Sequence, residues 1–101
     1  MTEQTNHIEK LTEERIAEGL SMLPEWSQNG DSIQRTFGFD DFIKSMGFVN
    51  AVAEKAASDQ HHPDILVRYN KVTLTLSTHD AGGLSEKDLS FASDCDALFS
   101  I

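Results

Sequence analysis

Residues 61–79 read HHPDILVRYNKVTLTLSTH. Beyond Pro63 the side chains alternate: Ile65, Val67 and Tyr69 share one face and Asp64, Leu66 and Arg68 the other, and Val72, Leu74 and Leu76 then alternate with Thr73, Thr75 and Ser77. A period of two is the repeat of a β-strand, whose successive side chains point to opposite sides. Asn70-Lys71 leaves room only for a tight turn, so the segment predicts a hairpin running out from Asp64 to Tyr69 and back from Lys71 to Ser77. Strands of equal length return the chain to within about 5 Å of its start, so His79 should arrive beside His61 and His62.

Upstream the period changes. Phe42, Met46, Val49, Ala53 and Ala56 follow spacings of four and three, the stripe of an amphipathic helix lying on a flat surface, with Asp40 as a suitable N-cap. Gly47 costs that helix about 1 kcal/mol relative to alanine unless a close contact needs the missing side chain. Before it, Glu25-Trp26-Ser27 and Ile33-Gln34-Arg35-Thr36-Phe37 flank Asn29-Gly30, a dipeptide that accepts the positive φ angles of a type I′ hairpin turn. Thr12 can cap a first helix, Glu13 and Glu14 complement its dipole, Leu11 can staple onto Ile16, and Pro24 ends it. Downstream, Ser85 and Asp88 have capping-box spacing and open a last helix through about Leu98, with Leu84 placed to staple onto Leu89.

The order α-β-β-α-β-β-α predicts the α+β class: one four-stranded antiparallel sheet with helices packed on one face. Thr73, Thr75 and Ser77 suggest that the other face is partly wet. Residues 1–10 read as a flexible polar N-terminus and 11–101 as a single domain.

The chain has 101 residues, the size of one domain, and its thin core makes self-association plausible. Eight Lys+Arg against seventeen Asp+Glu give 8 − 17 = −9, a balance that disfavours binding to nucleic acid or to an anionic membrane. One cysteine, Cys95, makes neither an intrachain disulfide nor a C-x-x-C metal site and suits a reducing compartment. No apolar run approaches the roughly 18 residues needed to span a bilayer, and Met1 to Lys10 resembles no targeting peptide, so a cytoplasmic location is expected.

Three of the four histidines bracket the hairpin. Imidazoles gathered at one sheet end titrate near neutrality, so one can donate a proton while another accepts one. The plainer alternative is that His61-His62 is a polar approach to a strand and His79 an ordinary loop residue. Zinc is a further alternative, but adjacent side chains diverge in extended chain and the H-x-x-x-H helical spacing is absent. Gly82-Gly83 lacks phosphate-loop spacing, Ser77 and Ser85 have no nucleophile elbow, and Cys95 lies mid-helix. Trp26, Phe37 and Phe39 read as core; Glu13, Glu14, Glu18, Asp94 and Asp96 read as solvated helix faces.

The run His61-His62-Pro63, five residues, then Tyr69-Asn70-Lys71-Val72, Leu74-Thr75-Leu76-Ser77-Thr78-His79 and Gly83-Leu84-Ser85-Glu86-Lys87-Asp88-Leu89 closely resembles the pterin-4a-carbinolamine dehydratase family. Trp26, Phe37-Gly38-Phe39 before Asp41-Phe42, and Met46-Gly47-Phe48 extend the resemblance to roughly Leu11–Ala97. The chain departs from that pattern at Ala57 and Asp80, where glutamate is frequent, and at Ile65, where tryptophan is.

The resemblance implies a dehydratase that eliminates water from 4a-hydroxytetrahydrobiopterin or a related 4a-hydroxytetrahydropterin, giving the quinonoid dihydropterin in tetrahydrobiopterin recycling, with no metal or cofactor. It implies His61 and His79 as the proton-transfer pair and His62 as the residue that positions substrate. Pro63 with Thr78, His79, Asp80 and Ala81 would complete the pterin pocket. Implied partners are the substrate, sister subunits in a homodimer or homotetramer, and a functional link to an aromatic amino acid hydroxylase. Two rival expectations come from other classes: a non-catalytic binding module, such as the dimerisation cofactor of a homeodomain transcription factor in animals, and a pterin-binding chaperone. The intact histidines favour the enzyme.

Overall fold

A computed structural model describes residues 8–100, so Met1–His7 of the expected flexible N-terminus lie outside it. The chain runs α1 (Glu13–Ser21), β1 (Ser27–Asn29), β2 (Ser32–Gly38), α2 (Phe42–Asp59), β3 (Asp64–Arg68), β4 (Lys71–Leu76), a 3-10 turn (His79–Ala81) and α3 (Glu86–Phe99). The four strands form one antiparallel sheet in the order β1-β2-β4-β3, so the α+β architecture is as expected. No helix among the described residues is long and apolar enough to cross a membrane.

The alternation along the central strands decides which side the helices cover. Ile33 and Phe37 of β2 and Val72, Leu74 and Leu76 of β4 are buried together with Val52 and Ala56 of α2 and Phe91, Ala92 and Cys95 of α3. The partners of these positions in the other phase are polar: Thr36 pairs with Thr73 across the open face, their hydroxyls 2.7 Å apart, and Gln34 pairs with Thr75. Phe37 anchors the core's aromatic end, its ring centroid 4.6 Å from Phe48 and 5.1 Å from Phe99.

The helix starts follow their local chemistry. Thr12 accepts the Arg15 N–H at 3.1 Å, and Ser85 and Asp88 complete a capping box at the head of α3. The second helix begins one residue later than expected: Asp41, not Asp40, accepts the Lys44 N–H at 2.8 Å. Its buried stripe also shifts, to Ser45, Phe48, Val52 and Ala56, while Phe42 and Ala53 are exposed. Either reading satisfies the three-four spacing; Phe48 joins the aromatic cluster and Ser45 donates its hydroxyl to the Asp41 carbonyl at 3.0 Å, which makes that position tolerable inside. A Cβ on Gly47 would meet nothing within 4 Å, so no contact within the described chain requires its glycine.

Both hairpin turns sit one residue away from the expected place. The first strand is Ser27–Asn29 rather than Glu25–Ser27, and Asn29 pairs with Ser32, so Gly30-Asp31 is the loop. Only Gly30 takes a positive φ, 62°, which is the type II′ pattern and not I′. In the second hairpin Arg68 pairs with Lys71, so Tyr69-Asn70 form the loop and Tyr69 leaves the strand with a φ of 52°. Asn70 ties that loop down by donating its side-chain amide to the Phe39 carbonyl and accepting the Phe39 N–H.

Asp96 is not the solvated side chain expected. It accepts from the Trp26 indole N–H at 2.9 Å and from Arg35 at 2.7 Å, and the Arg35 guanidinium in turn lies over the Phe37 ring. An arginine on the helix-facing side of β2 is tolerated because α3 brings it this carboxylate.

Candidate functional site

Three segments converge on one carboxylate. The second helix ends on Gln60, which adopts the left-handed conformation at φ 54°, and the His61 N–H reaches back to the Ala56 carbonyl at 3.1 Å. This closing turn leaves the His61 side chain against α3, where its Nε2 lies 2.7 Å from Asp88 Oδ1 and its ring stands edge-on to Phe91. Asp88 itself is fully buried in the first turn of α3. Its Oδ2 accepts from the Thr78 hydroxyl at 2.8 Å and from the Ser85 N–H at 3.0 Å.

The hydrogens of this network can be ordered. A carboxylate only accepts, so Thr78 must spend its single hydroxyl hydrogen on Asp88, and the Ser85 hydroxyl, 2.6 Å from Thr78 Oγ1, must be the donor between those two. Ser85 Oγ meanwhile accepts the Lys87 N–H at 3.2 Å. By the same logic Nε2 of His61 carries the hydrogen shared with Asp88. A neutral ring then has its lone pair on Nδ1, and a carboxylate on the far side is well placed to support a proton arriving there.

The loop after β4 is fixed by its own backbone. Thr78 and Gly83 exchange N–H···O bonds of 2.8 and 3.3 Å, and within them Ala81 donates to Thr78 and Gly82 to His79. The pairing of β3 with β4 ends at Asp64 and Thr75; continued by count, it sets His62 opposite Ser77 and His61 opposite Thr78. His61 and Thr78 do meet, through Asp88, so the chain just before β3 and the chain just after β4 are joined at this hairpin end.

The three differ in setting. His61 is anchored, its side chain 11% exposed, whereas His62 and His79 are exposed and hold no side-chain hydrogen bond to the described residues. Pro63 and Ala81 are half-buried and Asp80 is exposed. Thr78 is buried and turns its hydroxyl inward to Asp88.

A groove of about 380 Å³ opens beside His61, lined also by Asp59, Glu86, Lys87, Ser90 and Phe91. Arg15 of α1 grips Glu86 with two hydrogen bonds, 2.6 and 2.9 Å, and this grip holds the Glu86 carboxyl below its usual range, so the rim keeps its charge. Among the described residues no group of three or more His, Cys, Asp or Glu is placed to hold a metal ion. Cys95 is buried, which pushes its thiol up to about 12 and leaves it without nucleophilic character near neutrality.

Asp88 is the residue that sequence reasoning missed. Its spacing from Ser85 identified the capping box, but one carboxylate oxygen does the capping and the other is free for a side chain 27 residues away. Nothing in the local sequence marks that second use.

The chain has known relatives. The family profile described as "Pterin 4 alpha carbinolamine dehydratase" matches residues 9–98. A protein of Acidobacterium capsulatum named "Putative pterin-4-alpha-carbinolamine dehydratase" is 52% identical over 89 residues, covering 88% of this chain and 97% of that protein. One of the same name from Picosynechococcus sp. is 49% identical with the same coverage. Among solved structures, a "transcriptional coactivator/pterin dehydratase" from Brucella melitensis superposes with a TM-score of 0.85 at 35% identity, covering 88% of this chain and 97% of its own. A pterin dehydratase-like protein described as a RuBisCO assembly factor in the alpha-carboxysome, 23% identical with a TM-score of 0.62 over 73% of this chain, shares the fold. With a profile that takes in both hairpins and all three helices, and relatives matched over nearly their full length, the chain belongs to the pterin 4 alpha carbinolamine dehydratase family.

Proposed function

We propose that the protein is a dehydratase that eliminates water from a 4a-hydroxytetrahydropterin, and that His61, His62 and His79 carry the reaction. In this elimination the C4a–O bond breaks, the N5–H bond gives up its proton, and the pair left behind forms the C4a–N5 double bond of the quinonoid dihydropterin. Hydroxide is a poor leaving group, so a proton must reach the departing oxygen while another is taken from N5. Net, one water leaves and no electrons are exchanged, so the step needs only a proton donor and a proton acceptor.

The observation that carries the reading is the His61–Asp88 pair at the hairpin end. With Nε2 committed to Asp88, His61 works through Nδ1, and as a neutral ring it takes the N5 proton. Asp88 then faces the resulting imidazolium across 2.7 Å. His79, exposed on the adjoining turn, delivers the proton to the leaving hydroxyl, and His62 holds the pterin in place. Pro63 and the turn residues Asp80 and Ala81 complete the pocket, while Thr78 fixes the base of that turn through its backbone bonds to Gly83. A pure binding module has no use for a histidine ring fixed by a buried carboxylate, which favours the enzyme over a scaffold or a pterin chaperone. Tetrahydrobiopterin recycling, a homo-oligomeric assembly and a cytoplasmic setting beside an aromatic amino acid hydroxylase complete the proposal.

The test is a comparison of dehydration rates of a synthetic 4a-hydroxytetrahydropterin with and without purified protein. Acceleration that scales with protein concentration is expected. Tight binding at the spontaneous rate would instead identify a chaperone.

A further inference from the structure

The hydroxyls of Thr78 and Ser85 belong to no step of the elimination, yet both are buried and joined in one directed chain that ends on Asp88. We propose that Thr78 and Ser85 are positioning residues that act on His61 through Asp88, fixing which ring nitrogen faces the substrate. The kinetic part of this inference rests on the dehydratase reading; the structural part does not.

A carboxylate can rotate about its Cβ–Cγ bond, and the orientation of Asp88 decides whether an oxygen reaches Nε2. The Ser85 N–H alone is a single pivot at 3.0 Å. The Thr78 hydroxyl adds a second donor to the same Oδ2, at 2.8 Å, from a different element, and thereby reserves Oδ1 for His61. Thr78 is itself immobile, since its backbone is doubly bonded to Gly83, and its hydroxyl direction is set because Ser85 supplies the hydrogen it accepts. Ser85 is set in turn by the Lys87 N–H. Every hydrogen from the cap of α3 to the imidazole therefore has one place to go.

A capping role by itself would account for Ser85 and the Asp88 bond to its N–H, since those are the two halves of a capping box. It does not account for Thr78, which lies outside α3 and sits between the two as acceptor and donor. Thr78→Val therefore separates the roles: it keeps the side-chain shape and the cap but removes the donor to Asp88.

The experiment is ¹⁵N NMR of the histidine rings in the full chain, with steady-state kinetics alongside. In the parent protein His61 is expected as the Nε2–H tautomer with a slowly exchanging ring proton. In Thr78→Val the ring signals should move towards a tautomer mixture, with the Nε2 proton exchanging with water about tenfold faster or more, and kcat should fall about tenfold with KM within about twofold, a part of the roughly 10²–10⁴-fold that acid–base catalysis supplies. Thr78→Ser should restore both. Ser85→Ala should move the ring signals the same way while also lowering the melting temperature through loss of the cap. A folded Thr78→Val protein with the parent His61 signature overturns the proposal, whatever its rate. If the parent protein does not accelerate dehydration but the ring signals shift as described, the reaction is misassigned and the positioning of His61 stands.

Discussion

Asp88 and His61 are 27 residues apart in the chain and 2.7 Å apart in the fold, one in the first turn of α3 and the other just past the end of α2. Because the Ser85 N–H and the Thr78 hydroxyl hold the other carboxylate oxygen, the contact couples a helix start, a hairpin end and a helix stop. Replacing Asp88 by asparagine keeps the size but turns one acceptor into an amide that can present N–H to Nε2, favouring the wrong tautomer of His61. Asp88→Asn should lower kcat by about 10²-fold with a smaller change in KM, measured by steady-state dehydration kinetics; parent-like kcat would remove Asp88 from the mechanism.

The histidines should separate by kinetic parameter. His61→Ala and His79→Ala are each expected to lower kcat about 10²-fold or more, as loss of a proton donor or acceptor does. His62→Ala should act chiefly on KM, since it holds rather than transfers. Near-parent rates in both His61→Ala and His79→Ala would refute the assignment.

Gly19 of α1 lies close against Leu89 of α3. A Cβ on Gly19 would lie 2.5 Å from one Leu89 methyl carbon and 3.0 Å from the other, and Leu89 is buried next to Asp88 in sequence. Gly19→Ala, which would gain helix propensity on an open surface, should here destabilise by about 1–3 kcal/mol through overpacking. The urea midpoint reads this directly.

Burial of Cys95 sets an alkaline limit. Desolvation raises the folded thiol to about 12 from its ordinary 9.0. A raised value means that the folded state favours the neutral thiol, so the contribution is complete below pH 9.0 and is lost as pH rises towards about 12. Chemical denaturation across that range should show stability falling, with a shallower fall in Cys95→Ala. At neutral pH the native thiol should resist alkylation until the protein is unfolded.

The elements differ in how plainly the sequence specifies them. The hairpin of residues 64–76 was legible because strict alternation has one interpretation and leaves room to slip only at the turn. The side of α2 that faces the sheet was not, because Phe42-Met46-Val49 and Ser45-Phe48-Val52 both fit helical spacing and the choice is made by the aromatic cluster around Phe37. Both turns moved by one residue because pairing across the strands, not the best turn dipeptide, sets the loop. In the site, counting strand residues sets His61 opposite Thr78 at the hairpin end, and the two do share Asp88. The carboxylates Asp88 and Asp96 could not be assigned, since their partners His61, Trp26 and Arg35 come from distant elements.

The most direct test of the central claim is a rapid-mixing measurement of 4a-hydroxytetrahydropterin decay in the presence of the parent protein and of His61→Ala at equal concentrations. The parent protein should accelerate formation of the quinonoid dihydropterin well beyond the spontaneous rate, and His61→Ala should lose about 10²-fold or more of that acceleration. Decay at the spontaneous rate with the parent protein, or equal acceleration by both, would contradict that claim.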